Sequence, residues 1–363
     1  MLSLFDRYII RQYFVTFFFS AFLFTLIALA IDFSERVNNF IEHKLSARQV
    51  IVEYYLNFIP WINGVLWPLF ALIAVVFFTA RMAKNSEMIA ALGAGMSFTR
   101  LLRPYLISAF VLATIHFLGS HIFIPNGNKT FIRFDNTYIH PGNARTKTDN
   151  IHIFLTPDSR IFIRNYRSRD TSMREVFLEK FDSVRLVTLI KAEKMQLLTP
   201  PNTWRLSNYE IRNFDNEFKE TITVEQAGFL DTTLNLEPRD FVRYINQSEM
   251  MTTKEIREFI AYERSKGLGT AQQMQSEVQR RSADPFTILV LTVIGAAVAA
   301  RKVRGGVGVH LASGIIIGAS YILLSRFAMT FASQLEIHPA LAIWVPNFIF
   351  TTVAIWLVLR AQK

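Results

Sequence analysis

Long uncharged segments alternate with short charged ones along most of the chain. Six runs contain no Asp, Glu, Lys or Arg: residues 12–31, 54–80, 104–128, 285–300, 305–325 and 337–359. A helix needs about 20 apolar residues to cross the roughly 30 Å hydrocarbon core of a bilayer. Because the runs are continuously apolar and do not alternate, they predict membrane-spanning helices and not a barrel. Residues 285–300 form the one short run, so we expect its helix to begin earlier, in polar surroundings, or to cross a thin region.

The hydrophobic period changes to two between residues 150 and 235. Strand-like stretches cover residues 151–155, 160–164, 175–181, 184–198, 203–214 and 218–224. Turn signals such as Pro157-Asp158 and Pro200-Pro201-Asn202 separate them. This spacing predicts six or seven antiparallel strands in a sandwich or open barrel.

After Met251 the pattern becomes helical and polar. Two helices are expected, over residues 252–266 and 270–283, and the second leads through Asp284 and Pro285 into the fourth apolar run. Thr252 and Glu255 have the spacing of a capping box, which predicts where the first of these helices begins.

Charge fixes the expected orientation. Of the 68 charged residues, 46 lie within residues 129–284. With the N-terminus inside, only Asp6 and Glu87 oppose the inner bases, which are Arg7, Arg11, Arg81, Lys84, Arg100, Arg103, Arg301, Lys302, Arg304, Arg360 and Lys363. Short cytoplasmic segments carry such an excess of Lys and Arg. Both termini are therefore expected inside and residues 129–284 outside, and the net charge of +10 reflects topology and not nucleic-acid binding.

Motifs for catalysis are missing from the chain. It has no cysteine, no Walker A sequence, no HExxH and no GxSxG. His116 and His121 are five residues apart and point to different sides of a helix, which favours satisfied polar residues over a metal pair. We expect a protein that is not an enzyme and that holds no cofactor or metal of its own.

Four basic residues near the spans are candidates for contact with a lipid: Arg36, Lys44, Arg133 and Arg326. One interpretation is that each side chain snorkels to ordinary headgroups. The other is a ring of cations near the outer leaflet that meets an anionic headgroup, because the arginine fork pairs with phosphate oxygens. Gly314 and Gly318 form a small-residue face that allows close helix approach, either in ordinary bundle packing or in a subunit or gate contact.

The segment between the second and third runs is a candidate docking element. Residues 85–92 predict a short amphipathic helix with a Ser or Asn cap, which Gly93 and Gly95 then end. A short exposed helix with one acid, Glu87, among many bases suits a groove on another protein, although a plain connector would have a similar composition.

Taken together, these features resemble a known family, the lipopolysaccharide export permeases of the LptF/LptG (YjgP/YjgQ) type. The resemblance covers essentially the whole chain, and its most specific motif is residues 86–97, Ser-Glu-Met-Ile-Ala-Ala-Leu-Gly-Ala-Gly-Met-Ser, which is similar to the family's coupling helix and turn. Residues 251–267, 281–285 and 304–318 also look like the family.

The resemblance implies an integral membrane α-helical bundle of six transmembrane helices with an inserted periplasmic all-β jellyroll-like domain. Its expected divisions are residues 1–128 for helices 1–3 with the coupling helix near 85–93, 129–250 for the β domain, 251–284 for connecting helices and 285–363 for helices 4–6. It also implies an inner-membrane location and a subunit that extracts lipopolysaccharide while a separate protein hydrolyses ATP. The implied partners are a cytoplasmic ATPase dimer, a second permease subunit, a single-span jellyroll protein and a periplasmic bridge.

Site residues follow from the same resemblance. Ser86, Glu87, Met88, Leu92 and Gly93 are expected to contact the ATPase, with Glu87 as the coupling acid. Arg36, Lys44, Arg133 and Arg326 are expected at the gate, where the family places basic residues for lipid A phosphates. Two alternatives stay open: an ion-driven secondary lipid transporter, and a membrane anchor for a periplasmic binding domain.

Overall fold

The computed structural model describes residues 3–140, 144–146, 149–167, 169–215, 220–244, 246–265, 271–301, 306–334 and 337–361. Six helices in these ranges are long and apolar enough to cross a membrane. They are α1 (Leu4–Glu42), α2 (Ala47–Lys84), α4 (Phe98–Ile139), α6 (Ala271–Ala299), α7 (Gly306–Gln334) and α8 (Pro339–Ala361). Two shorter helices are α3 (Glu87–Gly93) and α5 (Thr253–Ser265). The predicted bundle of six apolar helices with an inserted β domain is confirmed.

Consecutive long helices run in opposite directions. Near its start α1 meets the start of α4 through Asp6 and Arg100, and near its other end Asp32 accepts a hydrogen bond from Tyr54 of α2. We call the end that carries Leu4 and Ala361 the terminal end, and the opposite end the far end. The short helix α3 lies at the terminal end.

Several helices extend beyond the apolar runs that predict them. α1 continues to Glu42, and α4 continues to Ile139, past the expected boundary at residue 128. The added turns pack as an aromatic cluster at the far end, which includes Phe40, Tyr54, Phe58, Phe131 and Phe134. α2 and α4 contain π-helical stretches at Val50–Tyr55, Gly119–Phe123 and Asp135–Ile139.

The fourth span is one continuous helix and not a polar helix joined to a short apolar one. α6 begins at Ala271 and passes through Pro285 without a break, which confirms the expectation that this helix starts early. Its polar first half is stabilised by ion pairs within the helix. The preceding helix, α5, begins with the predicted capping box, in which the backbone N–H of Glu255 donates to Thr252 Oγ1 (3.3 Å). Its predicted end at residues 266 and 267 lies outside the described residues.

The small-residue face of α7 packs within the chain. A side chain added at Gly314 would meet Val76 of α2 at 3.2 Å, and one added at Gly318 would meet Leu69 at 2.7 Å. The contact is therefore bundle packing against α2, as one of the two sequence interpretations proposes.

The inserted domain contains a six-stranded antiparallel sheet. Its strands are β2 (Asp149–Thr156), β3 (Ser159–Arg167), β4 (Ser172–Asp182), β5 (Arg185–Thr199), β6 (Thr203–Phe214) and β7 (Glu220–Thr233). Each pairs with its neighbours in the chain, so the order is a meander, and the described strands show no Greek-key crossing of the kind that a strict jellyroll contains. A separate pair joins β1 (Ala144–Thr146) to β8 (Val242–Tyr244).

Side chains of one sheet face form the core of this domain. Alternate residues of β2 and β3 are buried, as period-two strands require. Trp204 lies at the centre, fully buried, and its indole Nε1 donates to the Leu236 carbonyl (2.9 Å). Within the described sheet, β2 and β7 each pair on one side only, so both edges offer unpaired backbone groups.

The chain forms two compact units. The helical unit comprises residues 1–139, 248–256 and 272–363, and the β unit comprises residues 140–247 and 257–271. The helical unit has an apolar core that includes Tyr13, Phe70, Phe78, Met88 and Tyr105.

Candidate functional site

The terminal-end segment after α2 is the first candidate site. α2 ends at Lys84, and Ser86 adopts a left-handed conformation (φ 64°) that turns the chain into α3. Gly95 also has a positive φ (86°), which favours glycine, and it leads to Ser97, whose side chain caps α4. The predicted short helix is present at Glu87–Gly93, with Gly93 as its last residue, but the predicted cap is wrong, because Ser86 at the N-cap position is left-handed and makes no side-chain capping hydrogen bond.

One face of α3 is fixed to the bundle and the other is open. Met88 is fully buried in the helical core, and Leu92 packs against the same core. The open face is small and largely apolar, and consists of Ile89, Ala90, Gly93, Ala94 and Gly95. No atom lies within 4 Å of a side chain added at Gly93 or Gly95. An apolar helix face with open space around it can insert into a groove on another protein.

Glu87 is held in place by two hydrogen bonds. Tyr8 Oη donates to Glu87 Oε2 (3.2 Å), and Asn85 Nδ2 donates to Oε1 (3.2 Å). The carboxylate is therefore positioned at the edge of the open face.

A second joint ties α1 to the start of α4. Asp6 is almost fully buried, and both of its carboxylate oxygens accept hydrogen bonds from the Arg100 guanidinium (2.7 and 2.8 Å). Asp6 also completes a capping box with Ser3. Sequence reasoning did not identify Asp6, Tyr8 or Arg100 as parts of this site, although Asp6 is one of only two acids among the inner bases and Ser3 stands three residues before it.

The four candidate gate residues occupy different positions at the far end and beside it. Arg36 is half-buried, 3.9 Å from Asp32, the acid that also accepts the hydrogen bond from Tyr54. Lys44 is exposed just after α1, and Arg133 is exposed on α4 beside the aromatic cluster. Arg326 is exposed on α7, a helix that contributes nothing to that cluster. The structure thus places three of the four around one cluster and the fourth on another helix.

The helical unit contains a group of buried charges near the start of the fourth span. The sequence predicts these residues in a connecting helix. Arg281 is 3% exposed and donates to Glu277 Oε1 (2.9 Å) and to the carbonyls of Met251 and Ser248 (2.8 Å each). Arg280 pairs with Glu277 and also with Asp284. The guanidinium of Arg281 therefore holds the residues just before α5 against α6.

Two acids near this junction have shifted pKa values of opposite sign. Burial raises the pKa of Glu249, whose carboxylate accepts a hydrogen bond from Trp61 Nε1 (2.9 Å). The pKa of Glu255 is lowered because Lys129 donates to its carboxylate (2.8 Å). These hydrogen bonds join Glu249 to α2 and Glu255 to α4 within the helical unit.

The two histidines have separate hydrogen-bond partners. His116 Nε2 lies 2.8 Å from the Gly64 carbonyl, and His121 Nδ1 lies 2.7 Å from Thr253 Oγ1. No group of three or more potential metal ligands occurs among the residues that the structure describes.

Comparison with known families agrees with these features. The family model for the lipopolysaccharide export system permease LptF/LptG matches residues 7–360, nearly the whole chain. A search of curated proteins with this chain found no match. Members of this family are permease subunits of a lipopolysaccharide export system. With six apolar helices, an inserted antiparallel β domain and this match, the chain belongs to the LptF/LptG permease family.

Proposed function

We propose that this chain is the non-catalytic permease subunit of an ATP-driven transporter that extracts lipopolysaccharide from the inner membrane and passes it to a periplasmic bridge. The observation that carries the proposal is α3, a seven-residue helix fixed to the bundle by Met88 with an open face around Ile89. Because the sequence has no nucleotide-binding motif, ATP energy has to enter through a contact, and no cofactor is assigned to this chain.

The proposed orientation places both termini and α3 in the cytoplasm, and residues 129–284 in the periplasm. The excess of Lys and Arg at the terminal end supports it. In this orientation α3 meets one copy of a cytoplasmic ATPase dimer.

Residues of the coupling segment divide into anchors and contacts. Met88 and Leu92 fix α3 to the core, and Ser86 makes the turn that precedes it. Glu87 and Gly93, with Ile89 and its neighbours, form the surface proposed to meet the ATPase. Tyr8 connects this surface to α1, the first span, through Glu87, and Asp6 joins α1 to Arg100 at the start of α4, so that ATPase closure can move both helices.

Lipopolysaccharide is proposed to pass between α1 and the α7 of a second permease subunit of the same family. Both helices carry exposed large apolar side chains, such as Phe19 and Phe22 on α1 and Ile316 and Phe327 on α7. Arg36, Lys44, Arg133 and Arg326 supply cations for the lipid A phosphates. Arg36 would exchange its partner Asp32 for a phosphate.

The β unit is proposed to continue the path outside the membrane. Its open edge strands, β2 and β7, can pair with the jellyroll of a single-span partner and with the periplasmic bridge. Apolar side chains exposed on β7, namely Ile222, Val224 and Phe229, would shield acyl chains there.

An Ile89→Asp substitution tests the coupling surface. Because the charge falls at the centre of the open face, we expect at least a tenfold loss of co-purifying ATPase and of ATP-dependent lipopolysaccharide release from proteoliposomes. Val184→Asp is the matched control, since Val184 is 93% exposed and lies in the β unit. Glu87→Gln keeps an acceptor for Tyr8 and reports on charge alone. Unchanged ATPase recovery and lipid release with Ile89→Asp would refute the assignment.

An ion-driven mechanism is the second candidate, because the helical unit contains acids within it. Glu277 and Asp284 are both engaged by Arg280, which favours a role in packing. Proteoliposomes that receive both ATP and a proton gradient distinguish the two mechanisms. An ion-driven transporter would stop releasing lipid when the gradient is collapsed and would continue when ATP is left out.

A further inference from the structure

An open apolar groove lies on the surface of the helical unit, away from the proposed gate helices α1 and α7. Its first part, about 490 Å³, is lined by Thr99, Arg103, Leu106, Ile107, Phe110, Val111 and Leu289. A second part, about 270 Å³, shares Leu106 and Leu289 and continues against α8 along Val293, Ala354, Ile355 and Val358. The groove therefore runs between α4, α6 and α8.

Among the residues that line the second part, Thr351 is polar, and its hydroxyl donates to the Asn347 carbonyl (2.6 Å). In the first part, polar groups occur at one end only. Thr99 and Arg103, both exposed, are its polar lining residues, and they lie in the first two turns of α4. Arg103 has no hydrogen bond or ion pair with any of the residues that the structure describes. Arg100, one turn earlier, differs because Asp6 neutralises it. The Arg103 guanidinium therefore lies, without a neutralising acid, at one end of a largely apolar groove.

The length of the groove matches one leaflet of a bilayer. From Arg103 to Val111 the helix rises by about 12 Å at 1.5 Å per residue. Half of a hydrocarbon core of about 30 Å is about 15 Å. The groove begins near the terminal end, where the charged ends of the helices lie, and reaches to about the middle of the spans.

We propose that this groove binds one anionic glycerophospholipid from the leaflet at the terminal end. Its phosphate meets Arg103 and the Thr99 hydroxyl, and an acyl chain lies along Leu106, Phe110 and Leu289. An arginine fork binds phosphate oxygens in a bidentate manner, and each buried CH₂ of the chain contributes about 0.8 kcal/mol. A helix from another protein is the poorer occupant, because the groove is only one leaflet deep and polar at one end. This proposal depends only on the bundle spanning a membrane. It does not depend on the proposed function in lipopolysaccharide transport.

The test is lipid titration of the full chain, purified with the subunits that accompany it and delipidated in detergent. Native mass spectrometry follows binding of dioleoyl phosphatidylglycerol and, separately, dioleoyl phosphatidylcholine. We expect one tight phosphatidylglycerol site that phosphatidylcholine does not fill. Arg103→Gln should weaken it at least tenfold. Arg11→Gln, which removes an exposed arginine at the same end on α1, should change it less than twofold.

A second measurement locates the acyl chain. Phosphatidylglycerol with a photoreactive acyl chain should label peptides containing residues 106–111 and 289–293, and Leu106→Trp should reduce that label by filling the groove. Equal loss of binding with Arg103→Gln and Arg11→Gln, equal binding of the two lipids, labelling elsewhere, or a cross-link from the groove to another polypeptide would each overturn the proposal.

Discussion

At the scale of single residues, paired charges hold the two ends of the helical unit. Asp6 and Arg100 join α1 to α4 at the terminal end. Arg281 and Glu277 lie near the far end, and the arginine also bonds to two backbone carbonyls. Buried charges persist in proteins when each is paired and its remaining hydrogen-bonding groups are satisfied. These residues therefore position neighbouring segments as well as stabilise them.

Glu249→Gln should stabilise the protein at neutral pH. Burial raises the pKa of Glu249, so its charged form is disfavoured in the folded state, and this penalty grows as pH rises through the folded-state pKa. The amide keeps an acceptor for Trp61 without the charge. We expect a gain on the order of 1 kcal/mol at pH 7 to 8 that disappears below about pH 4.

Thermal unfolding in detergent across this pH range measures the effect. Glu258→Gln, at a neighbouring exposed acid on α5, is the control and should change little. A gain that is largest in acid would contradict the assigned direction of the Glu249 shift.

Residue pairings were only partly predictable from the sequence. Thr252 and Glu255 could be assigned because a capping box has a fixed spacing. Arg281 could not, since its carbonyl acceptors, Ser248 and Met251, lie about thirty residues away and come close only after the chain has folded. For the same reason the sequence predicted this part of α6 only as a polar connecting helix.

At the scale of elements, α3 depends on the surface beneath it. Helices shorter than about 12 residues are marginal in water, and α3 has seven. Met88 anchors it to the core, so the open face of α3 exists only while that contact holds.

Met88→Ser should loosen α3 without unfolding the bundle. Hydrogen exchange measured by mass spectrometry should then show at least tenfold faster exchange in residues 86–96, because the buried anchor is lost. Ile89→Ser is the matched control, since Ile89 is the exposed neighbour, and it should leave exchange unchanged. Equal protection in both variants would show that α3 is held by its ends and not by Met88.

The existence of the long helices followed from the sequence, whereas their ends did not. Apolar runs mark the part of a helix that lipid surrounds. The last turns of α1 and α4 are more polar, and they are helical because Phe40 and Phe134 pack together with Tyr54. Likewise, alternation predicted the strands, but their order as a meander depends on pairing between them.

At the scale of the whole molecule, the orientation is the feature on which the proposed function depends. The chain has no cysteine, so a single introduced thiol reports its own location. We expect Val184→Cys to react with a membrane-impermeant maleimide in spheroplasts and Leu4→Cys, at the terminal end and away from the proposed ATPase contact, to react only in inverted inner-membrane vesicles. Both positions are exposed, which makes each the control for the other. The reverse labelling pattern would place the β unit in the cytoplasm and remove the basis for the transport proposal.

The joint at Asp6 also has a practical consequence for anyone purifying the protein. Ser3 caps the same helix turn, and Tyr8 follows one turn later with its hydrogen bond to Glu87. An affinity tag fused directly ahead of Ser3, or a truncation that removes it, would disturb the scaffold behind α3 and could mimic an uncoupled transporter. Tags are better placed after Ala361 or behind a spacer.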